Sequence, residues 1–440
     1  MNTLHYTNYS SFSGRLTVLA LLCLFLISFY ACKESGRFEI NSEDTVPPAP
    51  PTLKGDPKPL NGGARIYYSI PDDEDLLSVD AEYTSVNGKV IRFSASYFKD
   101  SLDVYGLNAI IDYTIQLYAV DRSGNKSVSL PVQVKPLESA IMKVAKTISV
   151  KSSFSSFFID WKNELQQDVN VYVDFSFIQN GSLRSLTSVF SSNSPEERRF
   201  VNDLNPQEPV TVQVSVGDMY ENRTSKTDAG QLHLLSDELI PKDHWLLPAT
   251  NDSIGDIPQC FGNNNEGRLR YVIDGIIDMG ISRNYLNGNP NNRTGLAKDG
   301  HLPWNVIIDL GDYYELSRIV THQRHGNGNL SLGADSRGNY YQGNNVGRYK
   351  MYILDEETEE WEYVSQHTIP IPAVQTELDF FLSGQAGDMA YMYPDEPQYT
   401  RPVRWFRYEA LNGFGSNYTS TACDDLSEIT LYGRKVQINN

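Results

Sequence analysis

From residue 64 onward, the chain is a succession of short runs in which apolar and polar residues alternate. Ala64-Arg-Ile-Tyr-Tyr-Ser-Ile70 and Tyr113-Thr-Ile-Gln-Leu-Tyr-Ala-Val120 put every second side chain on one face, the period of a half-buried strand. Trp304-Asn-Val-Ile-Ile-Asp-Leu310 does the same with Trp304, Val306, Ile308 and Leu310. Tyr349-Lys-Met-Tyr-Ile-Leu354 faces Trp361-Glu-Tyr-Val364 across Asp355-Glu-Glu-Thr-Glu-Glu360, an acidic run that predicts a hairpin tip in water. Asp72-Asp-Glu-Asp75 interrupts the first strands and reads as a solvated loop in preference to a calcium site. The pattern predicts an all-β chain.

One stretch repeats. Tyr113-Thr-Ile-Gln-Leu-Tyr-Ala-Val-Asp-Arg-Ser-Gly-Asn-Lys-Ser127 aligns without gaps on Val210-Thr-Val-Gln-Val-Ser-Val-Gly-Asp-Met-Tyr-Glu-Asn-Arg-Thr224, 97 residues later. That offset is close to the ~100 residues of a seven-strand sandwich. In both copies an alternating strand runs into a polar Asp-x-x-x-Asn turn. Trp161, in Phe157-Phe-Ile-Asp-Trp161, is then a core residue of the second copy. After Leu235 the composition shifts to loops rich in asparagine, glycine and arginine, which marks a third unit.

The N-terminus has its own pattern. Arg15 precedes an apolar run from Leu16 to Tyr30, followed by Ala31-Cys32. A positive charge, a run of about 15 apolar residues and a small residue before a cysteine fit a secretory leader, and the run is short for a membrane span. Pro47, Pro48, Pro50, Pro51, Pro57 and Pro59 then form a stiff spacer. With 37 basic and 55 acidic side chains, the net charge of -18 excludes a generic phosphate-backbone binder. Cys23 leaves with the leader, so Cys260 and Cys423 remain, either as a pair closing a long loop or as separate thiols.

These features carry resemblances. Ala31-Cys32 resembles the lipobox of bacterial lipoproteins, in which the cysteine is lipidated, and Lys33-Glu34 resembles a Bacteroidetes surface-export signal. The repeated strand and turn resemble the F strand and F-G turn of fibronectin type III modules. Ile273-Asp-Gly275, Trp304 to Gly311 with Leu316-Ser-Arg-Ile319, Arg404-Trp-Phe-Arg-Tyr408 and Leu426 to Gly433 resemble the discoidin, galactose-binding-like fold of family 32 carbohydrate-binding modules. As a whole the chain resembles three-module surface lipoproteins of Bacteroidetes polysaccharide-utilisation loci. The expected fold is two tandem immunoglobulin/fibronectin type III-like sandwiches followed by a discoidin-like jelly roll. The expected divisions are a leader at 1–31, a linker at 32–60, modules at 61–136 and 137–230, a linker at 231–244, and a module at 245–440.

The resemblance implies an outer-membrane, lipid-anchored protein that binds polysaccharide or oligosaccharide, with outer-membrane glycan importers as further partners and no nucleic acid. It implies a structural Ca2+ held by Asp274, Asp278 and Glu428. The loop lacks the usual Asp-Gly-Asp-x-x-Thr, so the other reading has Asp274 capping a turn and Glu428 paired with an arginine. A sugar face needs an aromatic plate and hydrogen-bonding groups on loops at one end of the sandwich. His322, Arg324, His325 and Asn327 supply the polar half, and Tyr340, Tyr341, Phe414 and Tyr418 the candidate plates.

Catalytic patterns are missing from the sequence: there is no Gly-x-Ser-x-Gly elbow, His-Glu-x-x-His helix or phosphate-cradling loop. Carboxylates such as Asp424-Asp425 are plentiful, but sequence gives no separation between a glycosidase pair. The expected protein is therefore a non-catalytic glycan binder. The alternative is an adhesin that takes a protein partner through an exposed apolar loop tip.

Overall fold

The computed structural model describes residues 44–249, 253–260, 269–278, 284–287, 302–325, 340–341, 345–372, 376–414, 418 and 425–437. Cys32, Asn327 and Cys423 lie outside them. Three separate apolar cores form, within 64–134, 140–234 and 240–431.

In the first, alternation does what it predicts. Ala64, Ile66 and Tyr68 of the strand Gly63–Ser69 point inward, and its edge pairs with Ser101–Tyr105. The facing sheet runs Val90–Ser96, Leu76–Thr84, Tyr113–Asp121, Leu130–Val134, and buries Val79, Ala81, Ile115 and Leu117. Each fully buried aliphatic side chain contributes roughly 1.5–3 kcal/mol.

The second core repeats the plan. Ser149–Ser153, Ser156–Lys162 and Glu196–Val201 form one sheet; Ser182–Ser192, Val169–Gln179, Val210–Gly217 and Thr227–Leu232 form the other. Trp161 is buried between them. The shared turn is also reproduced: Asn125 donates from N and Nδ2 to Asp121 at 2.8 and 2.9 Å, and Asn222 does so to Asp218 at 3.0 and 2.8 Å. A helix, Ala140–Thr147, opens this module; Ser139 Oγ accepts from Met142 N, and Ile141 and Val144 pack inward.

The third core is built on a 19-residue strand, Trp304–His322. Its first part pairs with Pro402–Gly413 and its second with Glu428–Lys435, and the register breaks between Asp309 and Tyr314. Gly311 lies in that break with φ +77°, and a Cβ there would sit 2.5 Å from His244 O. Only glycine lets the strand turn this corner against the chain entering from the linker. Val346–Asp355 and Glu360–Thr368 complete the sheet as a hairpin with Asp355 opposite Glu360, so the acidic run is its tip. Paired sheets in the first two units and the seven-stranded sheet of the third make the described chain essentially all-β.

The junctions are packed. Asn222 Nδ2 of the second module donates to Gly106 O of the first at 2.8 Å, and Gly62 N to Leu137 O at 3.0 Å. Between second and third, Arg198 is held by a fork to Asp160 (2.7 and 2.9 Å) and donates to Pro394 O at 2.7 Å and Asp395 O at 3.1 Å. Phe154 packs against Tyr391 and Tyr399, and Phe200 against Tyr391.

Candidate functional site

One end of the third module gathers most of the residues singled out from sequence. Arg324 N, just past the long strand, donates to Asn345 Oδ1 at 2.8 Å; Asn345 bridges to Asp425, and Val346 pairs with Gly413. Strand ends far apart in sequence thus meet here. Segments 326–339, 342–344, 415–417 and 419–424, which leave these ends, are outside the described residues. The second module contacts 391–400, which lies beside Leu316–Arg318.

The side chains are arranged as a foundation. Tyr340 and Phe414 are 2% and 0% exposed, which corrects their reading as plates: neither ring offers a face to a sugar. Tyr340 is covered by Gly384 of the helix Glu377–Ala386, where a Cβ would lie 2.3 Å from its ring. Burial pushes its hydroxyl up to about 12. Phe414 is wedged between Tyr341 and Tyr418, with centroids 5.6 Å from each. Tyr341 and Tyr418 are half-buried and keep an outer edge; Tyr341 N donates to Gln323 Oε1 at 2.6 Å, and Tyr418 OH to Ile369 O at 2.8 Å.

The polar half is also inward. His325 is fully buried, its N donating to Asp278 Oδ2 at 3.1 Å and its ring edge-on to Tyr340. His322 is buried in the strand opposite Glu428; burial, then the nearby Lys242 charge, pull it down to about 4, so it is neutral at physiological pH. Both histidines are therefore corrected from sugar contacts to packing and hydrogen-bonding groups. Arg324 Nη1 is tied to Asp425 Oδ2 at 2.7 Å and stacks 4.2 Å over Tyr285, leaving part of its edge outward.

The donor set for calcium does not fit. Lys242 Nζ, from the linker, donates to Glu428 Oε1, to Ile429 O at 2.6 Å and to Thr430 Oγ1 at 3.2 Å. An ammonium thus occupies the carboxylate-carbonyl-hydroxyl oxygen set that a hard cation would take. Asp274 Oδ1 accepts from Ile276 N and from Asn284 Nδ2, both at 2.9 Å, as a turn cap does, and Asp278 is engaged with His325 N. Asp274, Asp278 and Glu428 do not converge as a ligand group. Burial pushes the Glu428 carboxyl up to about 7 against the pull of Lys242. Sequence reading missed Lys242 because it stands in the linker, 186 residues from its partner.

Among the described residues one carboxylate triad does converge, Asp44, Asp75 and Asp121, with oxygens within 4.8 Å. A hydrogen bond with Asp73, then burial, pushes Asp75 up to about 6. Asp121 is explained by its turn, since Asp218 makes the same bonds to Asn222. Cys260 is buried and its sulfur accepts from Asn305 N at 3.3 Å.

Residues 51–136 match the family model described as a domain of unknown function, DUF4959. No curated protein matches the chain. Among solved structures, a SusE-like protein is similar at 16% identity over 68% of this chain and all of that one, with a TM-score of 0.34. The C-terminal domain of a chitobiase from Bacteroides fragilis is similar at 17% identity over 46% of this chain and all of that one, TM-score 0.27. A two-domain fibronectin type III segment of chicken tenascin is similar at 16% identity over 42% and 98% of the two chains, TM-score 0.20.

Proposed function

We propose that this chain is a non-catalytic cell-surface protein that captures polysaccharide, anchored in the outer membrane by lipid on Cys32 and supplying glycan importers beside it. The observation that carries the reading is the packed end of the third module, where Tyr341, Phe414 and Tyr418 pack together beside the strand ends joined through Arg324, Asn345 and Asp425. Loops on a fixed scaffold are where binding residues vary without cost to the sheets. Among the residues singled out from sequence, Tyr341, Tyr418 and Arg324 keep partial exposure there. Weak single-site sugar binding, with net gains of ~1 kcal/mol per hydrogen bond, would be offset by many anchored copies on one polymer. The test is the mature chain on an array of plant, host and microbial glycans, with Tyr341→Ala and Tyr418→Ala variants of unchanged melting temperature. Loss of binding in either places the sugar on these loops. Release of reducing sugar by the pure protein would make it an enzyme.

A protein partner is the second reading, favoured by Leu378 and Leu382, 48% and 54% exposed one turn apart on the helix that covers Tyr340. Capture of a protein with no glycan bound would establish it.

A further inference from the structure

A cleft of about 330 Å3 lies between the first and second modules, remote from the third. Its volume is at the lower end of small-molecule sites, ~300–1,000 Å3. Its back wall is fixed: Leu107 N donates to Gly62 O at 3.0 Å, and Asn222 Nδ2 to Gly106 O. Gly106 has φ +83°, and a Cβ there would sit 2.7 Å from the Tyr220 ring, so the glycine lets that ring lie against the first module's backbone. Tyr105 and Tyr220 are the aromatic walls, both half-buried.

The lip is made of amides. Gln166 and Gln167 are exposed on a turn held by Gln166 N donating to Asn163 O at 3.0 Å and by buried Asn163 Nδ2 donating to Gln167 O at 2.7 Å. The carboxylates at the cleft are already engaged. Asp168 accepts from Asn193 at 3.1 Å, and Asp218 from Asn222 and from Tyr220 N at 2.8 Å. No lysine or arginine lines it.

We propose that this cleft binds a neutral sugar of one or two rings. The tyrosines take the apolar C–H faces, and the glutamine amides donate to and accept from hydroxyls. An anionic sugar would meet carboxylates with no countercharge. The described carboxylates there do not converge for a cation, because Asp168 and Asp218 are each bound into their own turn contacts with Asn193 and Asn222. The choice of a carbohydrate rests on the glycan reading above, whereas the preference for a neutral ligand comes from the cleft itself.

The test uses hydrogen exchange on the full mature chain with maltose, cellobiose or chitobiose, and galacturonate as the acidic control. The expected result is protection of the segments around 105–108 and 163–168 by a neutral disaccharide and none by galacturonate. Gln166→Gly, which suits the left-handed φ of +50°, combined with Gln167→Ala should weaken that binding roughly tenfold at unchanged melting temperature. Neutral-sugar binding that protects only the third module, or that the double variant leaves intact, overturns the cleft and leaves the glycan reading standing. Protection by galacturonate instead overturns the neutral ligand. Absence of binding to any glycan sinks both.

Discussion

Lys242 shows how one side chain decides what a site needs. Its ammonium takes Glu428 Oε1 together with the Ile429 and Thr430 oxygens and fills the place of a cation, although Glu428 Oε2 stays buried without a partner. Calcium and EDTA should therefore leave the melting temperature unchanged, as a calorimetric scan would show. Lys242→Met should cost about 3 kcal/mol at pH 8, because it strands a buried carboxylate. The loss should shrink at lower pH, where Glu428 takes a proton, and Lys242→Met with Glu428→Gln should recover most of it. His322 makes a prediction of opposite form. Its folded value of about 4 lies below the ordinary imidazole value of 6.5, so between these pH values the unfolded chain binds more protons. Stability from the neutral imidazole is therefore complete above pH 6.5 and is lost as pH falls toward 4, by on the order of 2–3 kcal/mol. Denaturant titrations of the native chain against His322→Gln across that window would show it; parallel curves would refute it. At this scale the sequence was misleading about direction. Histidines and tyrosines in a glycine- and asparagine-rich stretch look exposed, but strand register and the covering helix turn them inward.

Strands were the legible elements. The inward faces of Gly63–Ser69, Tyr113–Asp121 and the first half of Trp304–His322 follow their alternation, and the Asp-x-x-x-Asn turn closes alike in both copies. The two α-helices among the described residues were not foreseen. Ala140–Thr147 carried a signal in Ser139 and the spacing of Ile141 and Val144; Glu377–Ala386 had its cap in Thr376. Nor did alternation disclose the corner in Trp304–His322, because a change of pairing partner leaves the period unbroken on either side. Gly311→Ala tests that corner. It adds a Cβ against His244 O at a left-handed φ, so a loss of about 2–4 kcal/mol is expected by denaturant unfolding, with the hairpin at 346–368 still formed.

For the whole molecule, the leader and anchor are expectations of sequence alone, and Cys32→Ser should release the chain from membranes or leave its leader uncleaved; a processed, equally membrane-bound variant would refute lipidation. The inter-module cleft was illegible for a plain reason: its walls come from two repeats of one pattern, and a cleft between copies has no motif of its own. The junction between second and third modules has a different kind of consequence. Arg198 grips the main-chain oxygens of Pro394 and Asp395, so recognition there is of backbone shape. A joint that reads the backbone is indifferent to lettering. Asp395→Ala should therefore leave the grip of Arg198 in place, whereas Arg198→Ala should open the hinge to proteases. Positions 394 and 395 are free to drift in sequence, while Tyr391 and Tyr399, which pack on Phe154 and Phe200, are not.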